Sequence, residues 1–361
     1  MLRIKLLLSF SVIVFVIITS NALPPVNTSS QLRLLKLVKG IELADEQIRG
    51  LKFKEKPEFV VLTEKEAKKM FPTSGGETSK MEVLILKLSL LVPANYNLTR
   101  VEKQQSLGWI ALTSGNTVYI IADNFFKNPA VAKRTIAHEL VHVLQKQWFN
   151  APYSGSTTDS TLAIQALVEG DADLVADIYC REHGIPIYKI TYLYTRDPLT
   201  DMSIFPYVFG DPFVTYLYEK GGWELVNAAY WHLPISTKQV MFPHLYLENW
   251  TPLNLSPLLP RDYDEVYRDR MGAFYVFLHV WGFNGTYNEA RELARHWVGD
   301  GLVLGRSNSS YILIWKVEFD SRKWAETFAV WLRKDASFSK GYASYTISIE
   351  GNTVELKAVK K

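Results

Sequence analysis

Apolar and polar positions along the first third of the chain follow two different rhythms. Leu32, Leu35, Val38 and Ile41 recur at helical spacing with charges between them, which predicts a helix over 30–48. Glu58-Phe59-Val60-Val61-Leu62 predicts a strand, and Thr63 is suited to cap a helix over 64–71. Residues 72–80, rich in Ser, Thr and Gly, read as a loop. Helical spacing returns over 81–92 and 98–106. The runs 108–112 and 117–121 flank Ser114-Gly115-Asn116, a β-hairpin signature.

From about 129 the pattern turns helical. Strong helices are expected over 131–149 and 161–181, the second capped by Asp159 or Ser160, with further helices at 211–220 and 223–231. Pro252, Pro257 and Pro260 crowd 251–261 and mark a subdomain boundary. Beyond it the pattern predicts helices near 264–281 and 287–298, a strand at 311–319, a helix at 321–333 and a terminal hairpin turning at Gly351-Asn352. The expected organisation is therefore an amino-terminal segment 1–22, an α+β region 23–128 with the hairpin, a helical region 129–250, and an α/β subdomain 251–361.

Composition narrows the chemistry. The 361 residues carry 40 Lys+Arg against 37 Asp+Glu, so a net charge of +3 gives no electrostatic footprint for nucleic acid. The lone Cys180 excludes an internal disulfide, a cysteine zinc site and an iron–sulfur cluster. Any metal must be held by Asp, Glu and the seven histidines. Residues 1–22 read as an export segment. Arg3 and Lys5 precede an apolar run of about 13 residues, short of a comfortable bilayer span, and Ser20-Asn21-Ala22 offers small residues for cleavage. Six Asn-x-Ser/Thr sequons, at Asn27, Asn97, Asn249, Asn254, Asn284 and Asn308, agree with an extracytoplasmic protein, secreted or anchored through an uncleaved amino terminus.

The candidate chemistry lies in the two strongest helices. His138-Glu139-Leu140-Val141-His142 sets two imidazoles one turn apart on one helix face, the spacing of two ligands of one zinc ion. Glu139 lies about 100° round the helix, close enough to take a proton from a metal-bound water without being a ligand. The next helix contains Val168-Glu169-Gly170-Asp171-Ala172-Asp173 in apolar surroundings. Glu169 is the candidate third ligand. Asp173, one turn on, can accept the outer N–H of a ligating histidine. Gly170 removes a side chain where helices and metal approach closely. Asp171 points roughly 160° away from Glu169 and is expected to pair elsewhere.

These residues, His138-Glu139-x-x-His142 followed by Glu169-x-x-x-Asp173, resemble the gluzincin clan of zinc metallopeptidases, which includes thermolysin and the aminopeptidase-N type enzymes. Gln145 and Trp148 stand where a metzincin would need glycine and histidine. A broader likeness to a group of exported prokaryotic gluzincin-like proteins runs through the Ala137–Gln145 and Ala166–Ala172 stretches. It continues through Tyr207–Val214, Gly221-Gly222-Trp223, Ser236-Thr237-x-Gln239 and Trp324-Ala325-Glu326. The His-Pro pair that often follows the Ser-Thr-x-Gln stretch is here Phe242-Pro243-His244. Pro206-Tyr207-Val208-Phe209-Gly210 is similar to the aminopeptidase-N type Pro-Tyr-x-x-Gly, which implies that Tyr207 steadies the oxyanion, with His232, His244 and Tyr246 as rivals. The resemblance implies an α+β, zincin-like fold. A small mixed sheet would lie over the active-site helix, 117–122 would be an edge strand able to bind extended peptide, and the second lobe would be mainly helical. It implies Zn2+ as cofactor and a peptide or protein as substrate. The competing readings are an exported zincin-like protein whose zinc site is structural or ligand-binding, without turnover, and a cell-surface interaction protein with no metal.

Overall fold

The computed structural model describes residues 28–71, 77–96, 110–125 and 127–361. The export segment, the helix expected at 98–106, the start of the hairpin at 108–109 and the sequons at Asn27 and Asn97 lie outside the described residues. The protein is mixed α+β. Its amino-terminal part contains α1 (Thr28–Arg49), β1 (Glu58–Leu62), α2 (Glu64–Met70), α3 (Glu77–Leu88), β2 (Ala111–Ser114), β3 (Thr117–Ile121) and the short α4 (Ala122–Phe125). Thr63 caps α2 reciprocally: its hydroxyl accepts from Glu66 N, and the Glu66 carboxylate accepts from Thr63 N.

Three strands form the small sheet in the order β1-β3-β2, with β1 parallel and β2 antiparallel to β3. The 117–121 strand is therefore central, not an edge. Its pairing with β1 spans more than fifty residues, which local patterning does not reveal. β2 lies at one edge and carries Thr113 towards the next helix. Val118 and Ile120 bury against α5 (Pro129–Phe149), joining Val38 and Ile41 of α1 and Ile136, Ala137 and Leu140 of α5 in one core. Cys180 closes that core from α6 (Thr158–Glu182), where burial pushes its thiol up to about 11.

α5 starts at an Asn128 cap with Pro129 in its first turn and ends at Asn150 in the left-handed region. α6 is buried on every side, 22 of its 25 residues being inaccessible. Its cap is Thr157, paired with Ser160, rather than the expected Asp159 or Ser160. Asp159 instead accepts from Thr237 N and Arg270 Nε.

The next helix, α7 (Pro198–Ala229), begins thirteen residues before the expected 211 and breaks at Gly221-Gly222. Pro206 and Pro212 lie inside it, and each removes a backbone donor, so propensity argued against the run. Tertiary packing overrides that cost. α6 and α7 touch backbone to backbone. A Cβ at Gly170 would lie 2.2 Å from the Gly210 carbonyl oxygen, and one at Gly210 would lie 2.2 Å from that of Ala166. Only glycine at both positions allows this crossing. Short helices α8 (Thr237–Met241) and α9 (His244–Leu247) follow.

The remainder comprises β4 (Leu253–Asn254), β5 (Asp264–Asp269), α10 (Ala273–Trp281), α11 (Tyr287–His296), β6 (Trp297–Arg306), β7 (Tyr311–Phe319), α12 (Arg322–Phe338), β8 (Ser344–Glu350) and β9 (Thr353–Lys360). They build a second sheet in the order β4-β6-β7-β9-β8, with β5 also on β6. Residues 264–269 are thus a strand, not the start of a helix, and the helix expected to reach 298 gives way to β6 at 297. The glycines that disguise β6 have a steric reason. A Cβ at Gly299 or Gly301 would lie 2.1 or 2.0 Å from the carbonyl oxygens of Leu253 and Leu255, which run alongside. Trp297, Trp315, Phe274, Phe277 and Phe328 fill the space between sheet and helices. No helix among the described residues is long and apolar enough to cross a membrane.

The crossing makes a prediction. Gly210→Ala should destabilise the protein by about 1–3 kcal/mol, because a rigid backbone oxygen occupies the methyl position. An unchanged midpoint in urea would show that the helices do not meet here.

Candidate metal centre

α5 and α6 run antiparallel, and the faces that meet carry polar residues at four-residue spacing. Arg134, His138 and His142 on α5 meet Asp177, Asp173 and Glu169 on α6 in reverse order. The Arg134 guanidinium donates to Asp177 and Asp173 at 2.9 and 2.7 Å. His138 Nδ1 lies 3.1 Å from Asp173 Oδ1, and its Nε2 lies 3.0 Å from Glu169 Oε2. His142 Nε2 lies 3.2 Å from His138 Nε2 and 3.5 Å from Glu169 Oε2. His142 Nδ1 faces Gln145 Oε1 at 2.8 Å. Tyr153 donates its hydroxyl to the other Glu169 oxygen, Oε1.

Three donor atoms thus converge. His138, His142 and Glu169 form the one group among the described residues in which His, Cys, Asp or Glu donor atoms all lie within 4.8 Å of one another. Tetrahedral zinc with ligands at about 2.0–2.1 Å has ligand–ligand edges of about 3.3 Å. The measured edges of 3.0, 3.2 and 3.5 Å bracket that value. The outer nitrogens strengthen the fit. With Nδ1–H of each imidazole donated to Asp173 or Gln145, both Nε2 lone pairs face each other and a carboxylate oxygen. A shared cation, or in its absence a proton on one imidazole, stabilises three such atoms. Two imidazoles and one carboxylate form a donor set that could hold a metal ion, zinc included.

The electrostatics agree. Burial alone would lower His138, but its hydrogen bonds to Asp173 and Glu169 outweigh that and raise it to about 10. Burial would raise Asp173, but the Arg134 guanidinium and His138 hold it well below the usual carboxylate range. Glu169 is likewise lowered, against its burial, by His142 and His138. Glu139 moves the other way: burial raises it, and the two imidazoles only partly oppose this. Its Oε2 accepts from the Thr113 hydroxyl at 2.7 Å, whereas the buried Oε1 has no hydrogen-bond partner. The His138 and Glu169 side chains are 1% and 0% exposed and His142 11%, so the cluster opens on the His142 side.

Tyr207 lies beside the cluster, its ring 6.4 Å from that of His138. Its rivals are turned elsewhere. Tyr246 donates to the His232 carbonyl, and His232 and His244 are exposed. His279 pairs with buried Asp335, His296 with Asp320, and His183 with the Tyr179 carbonyl. Sequence reasoning missed Arg134, Gln145, Thr113 and Tyr153. The first carried a readable signal, since Arg134 lies four residues before His138. Thr113 and Tyr153 reach the site from a short strand and a loop, where no spacing announces them.

A family model described as the eCIS core domain matches residues 97–148. The match covers the β2–β3 hairpin and most of α5, with His138, Glu139 and His142, and ends before Glu169. It indicates no gluzincin family. No curated protein and no solved structure matches the chain.

The raised His138 pKa yields a pH prediction. Its folded value lies above the ordinary 6.5, so in the metal-free protein its ion pairing stabilises the fold fully below that pH and is lost as pH rises through about 10. A metal ion must displace this proton. Calorimetry in buffers of different ionisation enthalpy should show at least one proton released per zinc at pH 7. Apparent affinity should rise about tenfold per pH unit between 7 and 9. Binding without proton release would exclude coordination by His138.

Proposed function

We propose that the protein is an exported zinc-dependent metallopeptidase of gluzincin type with a zincin-like fold. The observation that carries the reading is the triangle of His138 Nε2, His142 Nε2 and Glu169 Oε2, with each imidazole's outer nitrogen anchored and a buried glutamate adjacent. A zinc ion held by these residues would supply a Lewis acid for the peptide carbonyl and an acidified water for attack.

The surrounding side chains have matching chemistry. Glu139 is the general base. Its unpartnered Oε1 is free to accept a proton, and burial, which favours the neutral acid, helps it keep that proton for transfer to the leaving amine. The Thr113 hydrogen bond on Oε2 leaves Oε1 as the unpartnered oxygen. Tyr207 offers a phenol beside His138 to stabilise the oxyanion. Asp173 and Arg134 hold His138 in its Nε2-presenting tautomer. The substrate is a peptide or protein, and nothing in the charge distribution calls for nucleic acid. Export is supported by the amino-terminal pattern and by the four described sequon asparagines, Asn249, Asn254, Asn284 and Asn308, which are all exposed.

One observation favours a second reading, a zinc site that is structural or ligand-binding without turnover: two of the three ligands are fully buried. The two readings separate on one variant. Glu139→Gln should keep one zinc per chain and lose about 10²–10⁴-fold in cleavage of a peptide library. Undiminished cleavage would sink the role of Glu139. A fully loaded wild-type chain that cleaves no library would establish the second reading. Under the first, Tyr207→Phe should lower kcat by about 10²–10³-fold with little change in KM, and an unchanged kcat would remove Tyr207 from the mechanism.

A further inference from the structure

Gln145 lies one helical turn after His142 and is buried. Its amide nitrogen donates to the Val168 carbonyl at 2.8 Å and to Asp171 Oδ2 at 3.2 Å. Both partners are pure acceptors, so a rotated amide would set oxygen against oxygen twice. Gln145 Oε1 is therefore committed to the other side, where it meets His142 Nδ1 at 2.8 Å. That commitment has a consequence for the ring. Nδ1 must carry the hydrogen, and Nε2 must present its lone pair to His138 and Glu169. The opposite tautomer would point an N–H into the cluster and oppose a cation there.

Asp171 is itself locked. Its Oδ1 accepts from Arg49 Nε at 2.8 Å and its Oδ2 from Tyr230 at 2.7 Å, all within the protein interior. Arg49 is in turn covered by the Trp223 ring, 4.4 Å from the guanidinium carbon. The sequence pattern turns Asp171 away from the ligand face, yet it reaches His142 through one intervening amide.

We infer that Gln145 and Asp171 are positioning residues that set the tautomer and orientation of His142, as Asp173 does directly for His138. This rests on the metal-centre reading above. The three acids Glu169, Asp171 and Asp173, at alternate positions of one helix, then divide the labour. The first joins the donor cluster, and the other two each fix one imidazole, Asp171 through a neutral relay and Asp173 by direct contact.

The test uses zinc alone, in competition with a chromophoric chelator, and reads the imidazole nitrogens by long-range 1H–15N correlation. Gln145→Leu removes the acceptor and should weaken zinc binding by about 10–100-fold. The slowly exchanging Nδ1–H of His142 should disappear, while that of His138 persists. Gln145→Glu, compared with wild type at a pH where its side chain is the neutral acid, keeps a carbonyl oxygen for His142 Nδ1 and a hydroxyl donor for the Val168 carbonyl, and should recover the affinity and the Nδ1–H signal. Zinc binding by folded Gln145→Leu within twofold of wild type, or protonated Gln145→Glu no better than Gln145→Leu, overturns the positioning role and leaves the metal centre intact. Absence of zinc binding by the wild-type chain overturns the metal centre and this role with it.

Discussion

One helix bearing five buried carboxylates is the constraint from which the rest of the structure follows. Asp159, Glu169, Asp171, Asp173 and Asp177 all lie on α6 and are all inaccessible to water. An unpaired buried charge costs several kcal/mol, a large share of a domain's net stability, so each acid must find a partner or take up a proton. Four of them find an arginine or lysine. Asp159 pairs with Arg270, Asp171 with Arg49, Asp173 with Arg134, and Asp177 with Arg134 and Lys189. Glu169 has no such partner among the described residues. Its neighbours are two imidazoles and a phenol, groups that are neutral in their ordinary states. The fold therefore leaves one negative charge to be balanced by a proton on histidine or by a cation, and the donor geometry of His138 and His142 suits the cation.

Close packing and chemistry depend on each other here. Gly170 follows Glu169 directly, and its contact with Gly210 brings α7 against α6 at the level of the cluster. Tyr207 lies three residues before Gly210, so the same approach that excludes a methyl group carries its ring to His138. A larger residue at either glycine would push apart the helices that hold Glu169 on one side and Tyr207 on the other. Residues whose only evident property is smallness thus control the width of the site.

The parts of the site that were legible in the sequence are those whose geometry is local. His138 and His142, or Glu169 and Asp173, share a face because a helix repeats every 3.6 residues, whatever surrounds it. Hairpins with glycine turns and helices with clear periodicity, such as α5 and β8–β9, were readable for the same reason. What escaped depends on partners distant in the chain. β3 looks like an edge until β1 is seen to pair with it. β6 looks like loop because its glycines answer to Leu253 and Leu255. The first half of α7 looks broken because its prolines are tolerated only by packing. Gln145 and Asp171 carry no signal of joint action, since they meet only where α5 and α6 cross.

The C-terminal sheet, remote from the cluster, enters the same argument. Asp269 of β5 accepts from the backbone and hydroxyl of Thr158, and Asp159 accepts from Thr237 and Arg270. Asp300 of β6 accepts from the backbone of Met271 and Gly272, just beyond Arg270. These acids anchor the start of α6, ten residues and about 15 Å before Glu169. Arg134 and Lys189 anchor its far side through Asp177. A helix held at both ends cannot slide along its neighbour. The pairing of Glu169 with His138 and His142 needs that restraint, because a shift by one residue would carry every acid about 100° away from its partner. The C-terminal sheet thus contributes to the site by fixing the register of the one helix whose charges must all be matched.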